Sequence, residues 1–221
     1  MKFSEHKKAL AHLKKDPILR KIIKEYQIEE LDGETDVFQD LIESIINQQL
    51  SGKAAATIFG RFKSLFKRKT FPAPQQILKV SDEEIRKCGI SFSKIKYIKG
   101  LCQSIIKKEL NIKKLTELSD EEVIVELTKI KGIGKWTAEM ILIFSLKRLD
   151  VFSAGDLGLR TAVSRLYKRE FESSALKRKF SSSAYKVQRE DKKKIEEISK
   201  RWSPYKSLAA RLLWRSLDNR D

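Results

Sequence analysis

Cysteine and histidine are scarce in this 221-residue chain, with two of each. They are Cys88, Cys102, His6 and His12. Two thiols cannot hold a four-cysteine iron–sulfur cluster or a four-cysteine zinc site. Two imidazoles near the start exclude a His-Glu-x-x-His zinc site and argue against a histidine-based triad. Long apolar runs are missing too. Nothing approaches the ~18 consecutive apolar residues of a membrane span, and Met1-Lys-Phe-Ser-Glu-His6 lacks the apolar core of a secretion signal. No alternating apolar run is flanked by hairpin turns, so no sheet is expected.

Acidic residues are the under-represented sign: 30 stand against 47 Lys and Arg, a net charge of +17. Such an excess points to a polyanionic partner, nucleic acid foremost; a basic surface kept for solubility is the plainer alternative. The charge is clustered, with five cations and no acid over 61–69 and seven cations and one acid over 94–114. Cations gathered on one side would follow a phosphate backbone and make binding fall steeply with salt. Hydrophobic residues, at 41%, suffice for a buried core and exclude wholesale disorder.

The pattern reads as all-helical. Asp16-Pro17 is an N-cap with proline in the first turn, opening a helix to about Tyr26. Residues 27–36 read as a loop. Phe38, Leu41, Ile42, Ile45 and Ile46 mark one apolar face, and Ala55 to Phe66 repeat it after Ser51-Gly52, with Phe71-Pro-Ala-Pro74 ending the segment. Ser81…Glu84 and Ser119…Glu122 both have capping-box spacing. Residues 168–194 read as a connection poor in apolar anchors, Asp191 to Trp202 as a helix, and the chain after Ser203-Pro204 as a last helix.

The most informative segment is Leu127-Thr-Lys-Ile-Lys-Gly-Ile-Gly-Lys-Trp-Thr-Ala138. One amphipathic helix ends at Gly132-Ile133-Gly134 and another begins at once. Two glycines allow a tight turn and close approach of another backbone. The N–H groups at the second helix's start make an anion site, flanked by Lys131 and Lys135.

Leu41-Ile-Glu-Ser-Ile-Ile-Asn-Gln-Gln-Leu-Ser51, the Gly132–Ala138 turn, Asp150-Val-Phe-Ser-Ala-Gly-Asp156-Leu-Gly-Leu and, more weakly, Arg201-Trp-Ser-Pro-Tyr-Lys-Ser-Leu-Ala209 stand in that order. Over residues 36 to 215 the chain resembles the helix-hairpin-helix DNA glycosylase superfamily, in its 3-methyladenine DNA glycosylase II branch. The resemblance implies an all-α, two-lobed helical fold without an N-terminal β domain. The expected division is an N-terminal helical extension (1–35) packing on the second lobe, a first helical lobe (36–120), and a hairpin and catalytic helical lobe (121–221).

The resemblance also implies roles. Asp156 takes the catalytic carboxylate's position, although an aspartate before such a run can simply cap a helix; Asp150 ranks second. Trp136, Trp214, Met140 and Leu157 fall at base-pocket positions, the last two where some members carry tyrosine. The two tryptophans would hold an electron-poor base by cation–π attraction, with core packing as the alternative. Gly132, Ile133, Gly134, Lys135, Thr137 and Lys131 fall at DNA-binding positions. Gln49, with Leu50, is the expected wedge that fills the stack left by a flipped base; Gln48 and Gln49 as simple helix caps are the alternative.

Bifunctional members carry a nucleophilic lysine where this chain has Trp136, so water is the expected nucleophile. The implied function is a monofunctional hydrolase for alkylated purines in base excision repair. A non-catalytic DNA-binding module and a glycosylase for deaminated or oxidised purines are the alternatives. No cofactor or catalytic metal is expected; a monovalent cation on the carbonyls of Thr128, Ile130 and Ile133 is implied by family hairpins. The expected partner is double-stranded DNA with damaged bases, met by a monomer in the cytoplasm, nucleoid or nucleus, with no membrane involved.

Overall fold

The structure, a computed structural model, describes residues 3–31, 33, 35–66, 70–172 and 189–218. In chain order the helices are α1 Phe3–Leu13, α2 Pro17–Glu25, α3 Val37–Asn47, α4 Gly52–Ser64, α5 Pro74–Lys79, α6 Asp82–Lys87, α7 Phe92–Ile106, α8 Asp120–Thr128 and α9 Lys135–Met140. They continue with α10 Leu157–Leu166, α11 Lys168–Glu172, α12 Arg189–Ser199 and α13 Lys206–Asp218. A 3₁₀ turn, Ile112–Thr116, precedes α8, a π turn, Ile141–Ser145, prolongs α9, and a 3₁₀ turn, Lys200–Trp202, prolongs α12. No strand occurs among the described residues, as the lack of alternating patterns predicts. None of their helices is long and apolar enough to cross a membrane.

Local chemistry explains most boundaries. Asp16 Oδ1 accepts from the N–H groups of Ile18 and Leu19 at 2.8 and 3.1 Å, and Pro17 occupies the first turn of α2, where its missing N–H costs nothing. Asp36 does the same for α3. Both capping boxes form: Ser81 Oγ accepts from Glu84 N while Glu84 accepts from Ser81 N, and Ser119 and Glu122 repeat this at α8. Hydrogen bonds from these serines hold both glutamates below the usual carboxylate range. Pro74 departs from expectation. It opens α5 rather than closing a segment, because Gln76 accepts from Ala73 N and proline is at home in a helix's first turn.

The chain forms two compact units, Glu34–Leu146 and Met1–Gly33 with Lys147–Asp221. In the first, the α3 face predicted from its spacing (Leu41, Ile42, Ile45, Ile46) is buried with Phe59 and Phe62 of α4 and Ile95, Ile98 and Leu101 of α7. The boundaries differ from the expected 1–35, 36–120 and 121–221. The hairpin joins the segment before it, because α8 packs on α9 and the π turn after α9 packs on α3, burying Ile141, Leu142 and Ile143.

In the second unit, Leu19 and Ile22 of α2 share a core with Leu159 and Val163 of α10, Trp202, and Leu212 and Leu213 of α13. Within 168–194, expected to hold few apolar anchors, Phe171 is buried in that core; residues 173–188 lie outside the described residues. Both cysteines are free and buried, and burial pushes the Cys102 thiol up to about 12. A thiol so far from ionising is an inert core group.

Candidate functional site

Asp156 stands at the N-terminus of α10, half-buried. Its Oδ1 accepts from Leu159 N at 2.8 Å, so it caps the helix. The same oxygen accepts from the indole Nε1 of Trp214 on α13 at 2.9 Å. One carboxylate oxygen therefore both caps α10 and holds an indole of α13. Gly158 leaves room for the approach: a Cβ there would lie 3.1 Å from Asp156 Oδ1 and 3.1 Å from Trp214 Cδ1, tighter than an ordinary contact. No role is expected for Gly158 from the sequence; the signal for a close approach is a glycine two residues after the aspartate cap, where a side chain is dispensed with.

The loop before Asp156 is tied to the start of α13. Asp150 accepts from Ser203 Oγ at 2.7 Å and pairs with Lys206 at 3.4 Å, and Ser207 Oγ accepts from Val151 N at 3.0 Å. Asp150 thus serves the scaffold. Its contacts fix the loop carrying Asp156 to the helix carrying Trp214. Leu157, beside Asp156, is 67% exposed, which is unusual for a leucine and leaves an apolar contact to offer.

The hairpin, Trp136 and Met140 lie in the other unit. Trp136 is 48% exposed, so core packing is not its role; Met140 is half-buried. The two glycines of the turn differ. Gly132 has φ +95°, and a Cβ would fall 2.4 Å from the Tyr97 ring, so both backbone and packing demand glycine. Gly134 has an ordinary φ of −93°, and nothing lies within 4 Å of its would-be Cβ. It is the N-cap of α9 and brings no side chain to accept from the first-turn N–H groups. By contrast, α7 begins with Ser91, whose hydroxyl accepts from Lys94 N.

Ile133 and Thr137 are buried at 4% and 3% exposure, so whatever they offer an anion is backbone N–H. Lys131 and Lys135 are exposed, and Lys135 lies 3.8 Å from Glu139. Ile130 O accepts from Ile133 N at 3.0 Å, and the Thr128 hydroxyl donates to Ile124 O. Among the described residues no three His, Cys, Asp or Glu side chains gather as a metal site.

The Gln49 backbone is left-handed (φ +58°) and Leu50 is 39% exposed, so the expected wedge is a bent tip with an apolar end. Gln48 does cap α3, but its side chain also donates to Gly132 O at 2.8 Å.

The basic run 94–114 is not uniformly a phosphate track. Lys94 donates inward to Ile46 O and Gln48 O, and Lys99 donates to Val80 O and pairs with Asp82. Burial lowers the Lys94 pKa. Lys96, Lys107 and Lys131 instead line an open groove of about 520 Å³ beside Tyr97. Of the 61–69 cluster, residues 67–69 lie outside the described residues. Charge counting could not separate these lysines, because their partners come from distant turns of chain.

Comparison with known proteins bears on the same segments. The family model described as "HhH-GPD superfamily base excision DNA repair protein" matches residues 42–185. The chain is 40% identical over 151 residues to DNA-3-methyladenine glycosylase 1 of Schizosaccharomyces pombe, covering 68% of this chain and 66% of that protein, a little under two thirds of its length. It is 35% identical over 227 residues to the DNA-3-methyladenine glycosylase of Saccharomyces cerevisiae, covering 92% and 76%. A solved S. pombe 3-methyladenine DNA glycosylase in complex with abasic DNA superposes with a TM-score of 0.76 at 33% identity, covering 95% of this chain and 96% of that one.

Proposed function

Because the chain belongs to the HhH-GPD superfamily of base excision DNA repair proteins, we propose that it hydrolyses the N-glycosidic bond of alkylated purines in duplex DNA. The substrates are of the 3-methyladenine and 7-methylguanine type, and the strand is left uncut. The observation that carries this reading is the Asp156 carboxylate, half-buried and fixed through Oδ1 by Leu159 N and Trp214 Nε1.

Cleavage develops positive charge on the deoxyribose, and a fixed carboxylate beside the sugar stabilises it. The carboxylate also orients the attacking water and takes its proton. The water oxygen bonds to C1′, and the base leaves with the electron pair of the old bond. On an alkylated purine that pair neutralises the cationic ring, so no strong general acid is required. This suits a chain whose two histidines lie in α1.

Trp136 and Trp214, with Met140 and Leu157, are assigned to contacts with the extruded base. The hairpin N–H groups with Lys131 and Lys135 are assigned to a phosphate, and Gln49 with Leu50 to the vacated stack. The absence of a lyase step rests on Trp136 standing in place of a nucleophilic lysine. The reading implies an intracellular, DNA-associated monomer without a cofactor. The carbonyls of Thr128, Ile130 and Ile133 are assigned to a monovalent cation between hairpin and phosphate. DNA affinity should then fall when tetramethylammonium replaces potassium and sodium at equal ionic strength.

Incubation with methylated DNA should release 3-methyladenine and 7-methylguanine, detected by chromatography, and leave alkali-labile sites. Borohydride should trap no covalent complex. Absence of released base would refute the reading, and a trapped complex would refute its monofunctional part.

A further inference from the structure

Helix α3 contains no lysine or arginine in its last turn, yet its terminal carbonyls are engaged. Lys94 Nζ, reaching over from α7, donates to Ile46 O at 2.8 Å and Gln48 O at 2.6 Å, and Leu50 N donates to Asn47 O at 3.1 Å. An ammonium is well placed at a helix C-terminus, where the carbonyl ends carry negative charge. One turn along α7, Tyr97 sits against Gly132, the left-handed glycine of the hairpin. Positions three apart share a helix face, so one face of α7 supports the tip loop through Lys94 and the hairpin through Tyr97. The Gln48 side chain closes the circuit by donating to Gly132 O at 2.8 Å. Between these ties stands Gln49 at φ +58°, a conformation that persists only where the surroundings impose it.

We propose, resting on the glycosylase reading above, that Lys94 is a positioning residue for base extrusion: with Gln48 it locks the Gln49–Leu50 tip to the hairpin, so that phosphate grip and stack insertion reach DNA as one rigid body. A tip ordered during folding need not be ordered on DNA, and the cost of immobilising it is removed from the binding step. Lys94, although it opens a basic run, then touches no phosphate.

The test uses the full chain and a duplex carrying a tetrahydrofuran abasic-site analogue next to 2-aminopurine, whose fluorescence rises on unstacking. No bond is cleaved, so this arm decides the role of Lys94 even if the wild type releases no methylpurine, a result that would refute only the glycosylase reading. Lys94→Met keeps the stem and removes the donors. At saturating protein it should lose about five-fold of the fluorescence rise, while the slope of log Kd against log salt stays unchanged. On methylated DNA its kcat should fall about tenfold with KM within twofold, and Lys94→Arg should restore most of both signals. A wild-type fluorescence rise in Lys94→Met overturns the proposal. So does a loss of about one unit of salt slope, which would make Lys94 a phosphate ligand. If Lys94→Met does not fold, Gln48→Leu cuts the same circuit without changing charge; it should show the same fluorescence loss, and its failure to do so also overturns the proposal.

Discussion

Two aspartates of the same unit begin their helices alike and end in different roles. Asp16-Pro-Ile-Leu19 and Asp156-Leu-Gly-Leu159 both accept from the N–H three residues on, and both also accept an indole N–H. At Asp16 the second oxygen takes the Trp202 indole at 3.2 Å and the Tyr167 hydroxyl at 2.9 Å, with Trp202 fully buried. Burial and the Asp16 charge push the Tyr167 phenol well above its ordinary range, so it stays a donor. At Asp156 the indole and the cap share one oxygen, and Trp214 is only half-buried. The position two residues after the aspartate is Ile18 in one and Gly158 in the other, where a Cβ would crowd the Trp214 edge at 3.1 Å. The same device knits a core in one place and holds a carboxylate near the surface in the other.

Substitution should separate the two. Asp156→Asn keeps the cap and removes the charge, so methylpurine release should drop about 10²–10³-fold, with thermal unfolding and DNA affinity near wild type. Full activity in that variant would erase the distinction. Asp16→Ala should act on the fold instead. It removes an N-cap and orphans two buried donors, at roughly 1–3 kcal/mol for each group. Urea unfolding should show a loss of about 3 kcal/mol, and the protein that remains folded should retain its kcat.

Smaller effects sharpen the contrast. Gly158→Ala forces a methyl against Asp156 and Trp214 and should lower kcat about tenfold, a loss of roughly 1.4 kcal/mol in barrier terms. Its urea midpoint should move little. Trp214→Phe keeps an aromatic face and deletes the N–H; a several-fold loss in kcat, about 1 kcal/mol as for one hydrogen bond, is expected. Trp202→Phe should instead lower stability and spare kcat. If both tryptophan variants behave alike, the two aspartates do not differ in the way their partners suggest.

Much of this was legible residue by residue. Asp16, Ser81, Ser119 and Asp156 are caps legible in the sequence, because capping depends on groups within three positions. The face of α3 was legible for the same reason. Helix α1 is expected only as part of a helical N-terminal extension, because residues 3–13 carry no cap signal that fixes its bounds. Pro74 was misread because proline closes one helix as readily as it opens the next. Lys94 and Lys99 were counted with the basic run, since charge spacing does not say which lysines turn inward. The expected grouping of the hairpin with Asp156 gave way to a unit shared with α3 and α7, set by the packing of the π turn.

Sequence alone determined the local devices of this protein: helix starts, the glycine turn, the apolar faces and the aspartate at the head of α10. Each is governed by interactions a few residues long, where covalent geometry leaves little choice. Tertiary structure alone decided what each device is for. The indole on Asp156 comes from 58 positions away, the donors on Asp16 from 151 and 186, and the ammonium closing α3 from 46 and 48. Which carboxylate is spent in a core, and which lysine on a carbonyl, is set by packing between segments that no local pattern joins.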